Sequence, residues 1–256
     1  MTYRAIETRR VAAVPSARKA THLVQETLGA FEQLKLERGR QASVQIFEVL
    51  REAIIDLSLP PGASLSRTEL ATRFRVSSTP LRDAFMRLAE EGLVDIFPQH
   101  GTVVSRIDLR KVHEAHFLRR AIELEVVGIV AKAPTKELIA RLRDLLARQR
   151  AMHQLRDRRA FTEADQAFHR TLFEVANVPE LWSLIRGQSG HLDRLRRLHL
   201  PSPGKADSIM AQHRAIIDAV AAGNLDKARD SMRKHLADTI ANTDKIRKKF
   251  PQYIAV

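Results

Sequence analysis

Four side chains invite a chemical reading before any element is drawn. Asp165 and His169 stand four residues apart, so on a helix they project from one face. The same stretch carries Phe161, Ala164, Phe168, Leu172 and Phe173, which makes that face partly apolar. His213 sits near Ile209, Ile216 and Ile217, and His235 near Met232, Leu236 and Ile240. One carboxylate and three imidazoles facing a bundle interior suit a borderline divalent ion such as zinc, nickel or manganese. Four ligands on an ion preferring five or six leave positions open for water or a small carboxylate. Spacing alone also permits a plainer reading, because the chain holds ten histidines and a lone buried one is more often hydrogen-bonded structure than ligand. A metal-dependent, hydrolase-like enzyme is the alternative, since such a centre can activate water. No additional general base, P-loop, dinucleotide fingerprint or nucleophile elbow accompanies the four residues.

A second group of residues suits phosphate. Ser77, Ser78 and Thr79 precede Pro80, and short hydroxyl side chains at a helix start donate to phosphates alongside the free amides. Arg82, one turn further on, is long enough to reach a base edge, where arginine pairs with guanine in bidentate fashion. Between Ser66 and Leu88, Arg67, Arg73, Arg75, Arg82 and Arg87 face only Glu69 and Asp83. That local positive patch matters more than the net charge of +13. Residues 43–107 carry seven Lys/Arg against eight Asp/Glu, while 1–42 carry eight against four and 108–256 twenty-eight against eighteen.

The elements that must position these groups follow from the hydrophobic pattern. Ile46, Val49, Leu50, Ala53, Ile54 and Leu57 repeat with helical period, and Pro60-Pro61-Gly62 stops the run. A second helix opens at Ser66, with Glu69 completing a reciprocal capping box and Leu70, Ala71 and Phe74 facing inward. A third begins near Ser77–Pro80 with Leu81, Phe85, Leu88 and Ala89 as its stripe, and Gly92 closes it. Leu93–Phe97 and Thr102–Val104 read as two strands of a hairpin turned by Pro98–Gly101. Three helices and a hairpin make a winged helix-turn-helix, with His100 and Gly101 at the wing tip placed to approach a sugar–phosphate strand.

Beyond Asp108 the pattern predicts six amphipathic helices, roughly 108–132, 135–156, 158–176, 179–200, 205–222 and 224–248, packed as an all-α bundle. The expected fold is thus mainly α: residues 43–107 a DNA-binding winged domain, 108–256 an all-helical effector and dimerisation domain. Residues 1–42 read as an N-terminal extension, partly helical or mobile, with Leu23, Thr27, Phe31 and Leu34 at near-helical spacing. No run approaches the ~20 apolar residues that span a bilayer. The start lacks a secretory signal, and cysteine is absent, so there is no disulfide framework or thiolate metal site. These features lead to the expectation of a cytoplasmic protein with no membrane partner.

Leu59-Pro60-Pro61-Gly62, Leu65-Ser66, Glu69-Leu70-Ala71, Val76-Ser77, Thr79-Pro80-Leu81-Arg82, Leu88 and Glu91-Gly92-Leu93-Val94 resemble the GntR family of bacterial repressors, FadR subfamily. Ser78 and Thr68 stand where that family has arginine, and Arg75 where it has glycine, so relatives do not supply the operator sequence. Residues 108–248 resemble the FCD effector domain in the six-helix form of the VanR-type branch. The carrying residues are Arg119–Glu123, Asp165–His169, His213–Ala219 and Met232–Leu236. The resemblance implies that Asp165, His169, His213 and His235 ligate a divalent metal. It also implies that Arg119 points toward the effector, where a guanidinium suits a carboxylate. A salt bridge from Arg119 to Glu123, four residues on, is the compatible structural alternative. Most of the run Arg194, Arg196, Arg197 reads as a solvated basic face, and Asn177-Val178 replaces a common Gly-Asn. The expected molecule is a homodimeric repressor. It places two recognition helices on an inverted repeat of double-stranded operator DNA and responds to a small carboxylate or sugar acid.

Overall fold

The computed structural model describes residues 17–97 and 101–255, and these fall into two compact units, one of the described residues up to 109 with 247–255, the other 110–246. In the first, α1 (Ala17–Phe31) and α2 (Ala42–Ile55) precede the short strand β1 (Ser64–Leu65). They are followed by α3 (Arg67–Phe74), α4 (Ser78–Glu90), β2 (Val94–Phe97) and β3 (Gly101–Val104). Ile46, Leu50, Ile54, Leu70, Phe74, Leu81, Phe85 and Leu88 meet in one core, as their helical spacing requires. Ser66 caps α3 by accepting from the Glu69 amide at 3.3 Å. The reciprocal half of the expected capping box is different: the Glu69 carboxylate accepts from Arg73 at 2.7 Å instead. Salt-bridge geometry one turn along competes better for that carboxylate than a single backbone amide.

The hairpin gains a third strand that the hydrophobic pattern did not signal. The sheet order is β1-β3-β2, wholly antiparallel, with Ser64 opposite Val103 and Val94 opposite Val104. Two residues are too few for a period-2 pattern, and backbone bonds from Gly62 and to Ala63, each 2.8 Å, pin β1 to Val104. The N-terminal extension is more than an appendage from residue 17 onward. Phe31 is fully buried and stacks on Phe74 at 5.2 Å. The buried Gln45 side chain bonds the backbone of Glu37 and Arg40, fastening the link between α1 and α2.

The second unit holds α5 (Leu109–Lys132), α6 (Lys136–Gln154), α7 (Arg158–Val175), α8 (Pro179–Gln188), α9 (Gly190–His199), α10 (Lys205–Ala221) and α11 (Leu225–Ala241). Thr135, Asp157 and Asn224 cap α6, α7 and α11 with their side-chain oxygens. Two expected helices are divided. The 179–200 stretch breaks at Ser189, whose hydroxyl donates to the Ile185 carbonyl at 2.6 Å. Serine competes in this way with the helical backbone. The last breaks at Asn242, whose amide bonds the Asp238 carbonyl and carboxylate, so α12 (Thr243–Lys249) is separate. At the C-terminus, residues 247–255 group with the first unit and not with the helical one. Ile107 and Ile254 form a parallel bridge there, bonded at 2.8 and 2.9 Å, and both are buried. Sequence distance hides such a pairing.

Candidate functional site

In the helical unit, Asp165 and His169 on α7, His213 on α10 and His235 on α11 come together. Ligand atoms of all four lie within 4.8 Å of one another, and all four residues are buried. Each imidazole has an oxygen at its outer nitrogen. His169 Nδ1 meets Glu123 Oε2 at 2.6 Å, His213 Nδ1 meets Gln149 Oε1 at 2.9 Å, and His235 Nδ1 meets Gln212 Oε1 at 3.1 Å. The carboxylate and the two amide oxygens can only accept, so each ring donates from Nδ1 and turns the Nε2 lone pair inward.

That arrangement brings two lone pairs face to face, with His169 Nε2 and His235 Nε2 3.1 Å apart. His213 Nε2 is buried with no hydrogen-bond partner among the described residues. Protonation is a poor remedy. Burial pushes the His213 imidazole down to about 3, and burial followed by His213 holds His235 well below its ordinary value. Asp165 stays ionised although burial opposes it, because Arg196 above all, then the imidazoles, holds its carboxyl well below the usual range. A carboxylate and three imidazoles with inward Nε2 atoms fit a divalent cation by charge and donor type.

Around this centre the sequence reading is corrected in part. Arg196 is no member of a solvated face: its Nη2 donates to Asp165 Oδ2 at 2.7 Å and its Nη1 lies 3.8 Å from Asp193 Oδ1. Arg194 is 0 % exposed, and Arg197 donates to the Arg158 carbonyl at 3.0 Å. Alternation of charge along α9 gave no hint of burial on nearly every side. Arg119 is buried and donates from Nε to Glu123, the pairing its i,i+4 spacing allows. Burial opposes ionisation of Glu123, yet Arg119 and then His169 bring its carboxyl down to about 2. Gln149 and Gln212 went unnoticed. Gln149 continues the buried stripe Leu138, Leu142, Leu146, and a glutamine on such a stripe was the available signal. Gln212 carried none. Trp182, the only tryptophan, lies parallel to the His169 ring at 6.5 Å.

In the winged unit, Ser66, Arg67, Arg75, Ser77, Ser78, Thr79, Arg82 and Gly101 are all exposed. Ser77 directly precedes α4, and Ser78 and Thr79 open it. The Arg82 side chain is 69 % exposed, with Asp83 no nearer than 3.9 Å. Arg75 ends α3 in the left-handed region at φ 55°, which explains why glycine is favoured there. Arg73 contributes less to the patch than expected, because Glu32 and Glu69 each pair with it at 2.7 Å. His100 lies outside the described residues.

A winged helix-turn-helix with exposed hydroxyls and arginine at the start of its third helix, joined in one chain to a helical unit with an inward ligand set, defines a DNA-binding transcription regulator. Residues 42–104 match the family of bacterial regulatory proteins, gntR family, and residues 114–238 match the FCD domain. The chain is 38% identical over 217 residues to an uncharacterized HTH-type transcriptional regulator in an unstable DNA locus of Streptomyces ambofaciens, covering 85% of this chain and 91% of that one. It is 30% identical to the HTH-type transcriptional repressor RspR of Escherichia coli, covering 83% and 93%. The solved structure of E. coli McbR/YncC shares the fold, with a TM-score of 0.69 at 20% identity, covering 80% of this chain and 98% of that one. The chain belongs to the GntR family of transcriptional regulators and carries an FCD effector domain. That family consists of regulators rather than enzymes, which sets the hydrolase-like alternative aside. No helix among the described residues is long and apolar enough to cross a membrane.

Proposed function

We propose that the protein is a homodimeric repressor of the FadR subfamily, VanR-type branch, that acts in the cytoplasm. It binds double-stranded operator DNA through α4 and the wing, and it is switched by a small carboxylate or sugar acid at a divalent metal, zinc, nickel or manganese. The observation that carries the switching part is the convergence of three inward Nε2 lone pairs and the Asp165 carboxylate in one buried place. A bound dication would offer open coordination positions to an effector carboxylate. Glu123, Gln149 and Gln212 would orient the imidazoles. Arg119, beside Glu123, would add a guanidinium to the effector's surroundings. In the DNA-binding unit, Ser66, Arg67, Arg75, Ser77, Ser78, Thr79, Arg82, His100 and Gly101 would make the contacts, Arg82 to a base edge and most others to phosphate. The name of the E. coli relative, a repressor, supports the sign of regulation.

The test is metal content and thermal shift on protein purified without chelator, with His169→Ala as control and a panel of sugar acids and small carboxylates as probes. Stoichiometric metal that disappears in the variant, with one acid raising the midpoint only in the metal-loaded native protein, is the expected result. Absence of metal and of any shift in both proteins would remove the switching account and leave DNA binding untouched.

A further inference from the structure

The two oxygens of Asp165 are not equivalent. Oδ1 faces the imidazole cluster, 3.6 Å from His213 Nε2 and 3.5 Å from Gln149 Nε2. Oδ2 accepts from Arg196 at 2.7 Å. Arg196 is itself held in place: Asp193, one turn back on α9, lies 3.8 Å from its Nη1 and is anchored in turn by Arg186 of α8 at 2.6 Å. Resting on the metal reading above, we propose that Arg196 is a positioning residue that restricts Asp165 to one-oxygen ligation and thereby keeps a coordination position open for the effector.

The chemistry is direct. A free aspartate can chelate a dication with both oxygens, and the second bond would use a position that an effector needs. A guanidinium on Oδ2 opposes this twice. Its hydrogen bond engages that oxygen, and its positive charge repels a dication from that side at low local dielectric. A lone aspartate–arginine pair would neutralise the buried carboxylate equally well without regard to which oxygen it takes. Here the guanidinium sits on the outer oxygen, and the inner one is left to the imidazoles.

Water-proton relaxation of the Mn²⁺-loaded full-length protein tests this, because it counts exchangeable water on the bound ion. Free Mn²⁺ measured by electron paramagnetic resonance supplies the affinity. In Arg196→Gln, Asp165 takes the ion with both oxygens, so relaxivity per bound Mn²⁺ falls by the share of one water. Affinity rises as well, because a second carboxylate oxygen binds the ion and the opposing positive charge is gone. Arg196→Lys keeps the charge with a shorter reach and shows the same changes in smaller degree, so the test stays decisive where the glutamine variant does not fold. Unchanged relaxivity and affinity in every folded variant, or weaker binding, overturns the positioning role while the metal reading stands. No Mn²⁺ binding by the native protein overturns both.

Discussion

At the scale of single residues, the centre is governed by charges that depend on one another. Glu123 connects Arg119 to His169, and all three are buried. Removing the carboxylate in Glu123→Ala strands the guanidinium without its partner and frees the His169 ring. Chemical denaturation should register a loss of about 3–5 kcal/mol, the usual cost of breaking a buried pair; a loss below 1 kcal/mol would contradict the pairing. His199 offers a cleaner pH experiment, lying outside the ligand set with its buried Nδ1 unpartnered among the described residues. Burial, with Lys205 next, lowers it from 6.5 to about 4. The folded protein therefore keeps it neutral while the unfolded chain takes up a proton below pH 6.5. Its share of stability is whole above that pH and drains away as pH falls toward 4. In His199→Gln the thermal midpoint should decline less steeply across that window than in the native protein, and equal slopes would refute the neutral burial of His199.

At the scale of elements, α1 and α3 carry the informative contacts. Phe31 lies between the N-terminal helix and the winged core, stacked on Phe74. Phe31→Ala should cost about 3–5 kcal/mol, as for other fully buried aromatics. If residues 17–31 were dispensable, the denaturation midpoint would not move. The opposite sign is expected at the end of α3, where Arg75 occupies a left-handed backbone position. Arg75→Gly relieves a conformation that costs about 1 kcal/mol in L-residues, partly offset by glycine's greater freedom when unfolded. The variant should gain up to about 1 kcal/mol in stability and lose DNA affinity in the same preparation. A loss of stability would show that the Arg75 side chain supports the fold.

At the scale of the whole molecule, the proposed function is a coupling between a DNA-reading unit and a ligand-sensing one. Arg82 projects into solvent from α4. On an operator selected in vitro by the protein, Arg82→Ala should weaken binding by about 1–3 kcal/mol and relax the preference at one base position. A uniform loss over all sequences, with a shallower salt dependence, would instead assign Arg82 to phosphate. Any effector that changes operator affinity must have its own affinity changed by operator DNA to the same factor, which equilibrium titrations of both ligands can check.

Much of this was readable from residues alone, and the reason is periodicity. Apolar stripes placed Asp165, His169, His213 and His235 on inward faces, and the expected helix starts at 135, 158 and 224 fall at or beside the caps Thr135, Asp157 and Asn224 that the structure shows. The turn residues likewise set the winged unit's helices and hairpin. Such signals are local, written within one or two turns of backbone. Four matters needed the tertiary structure, because each depends on residues distant in sequence. They are the pairing of Arg196 with Asp165, the acceptance of His213 and His235 by Gln149 and Gln212, the return of residues 253–255 to Ile107, and the third strand on Val103. A charged or amide side chain has no period of its own. Whether it meets solvent or a buried partner is decided only when separate helices pack.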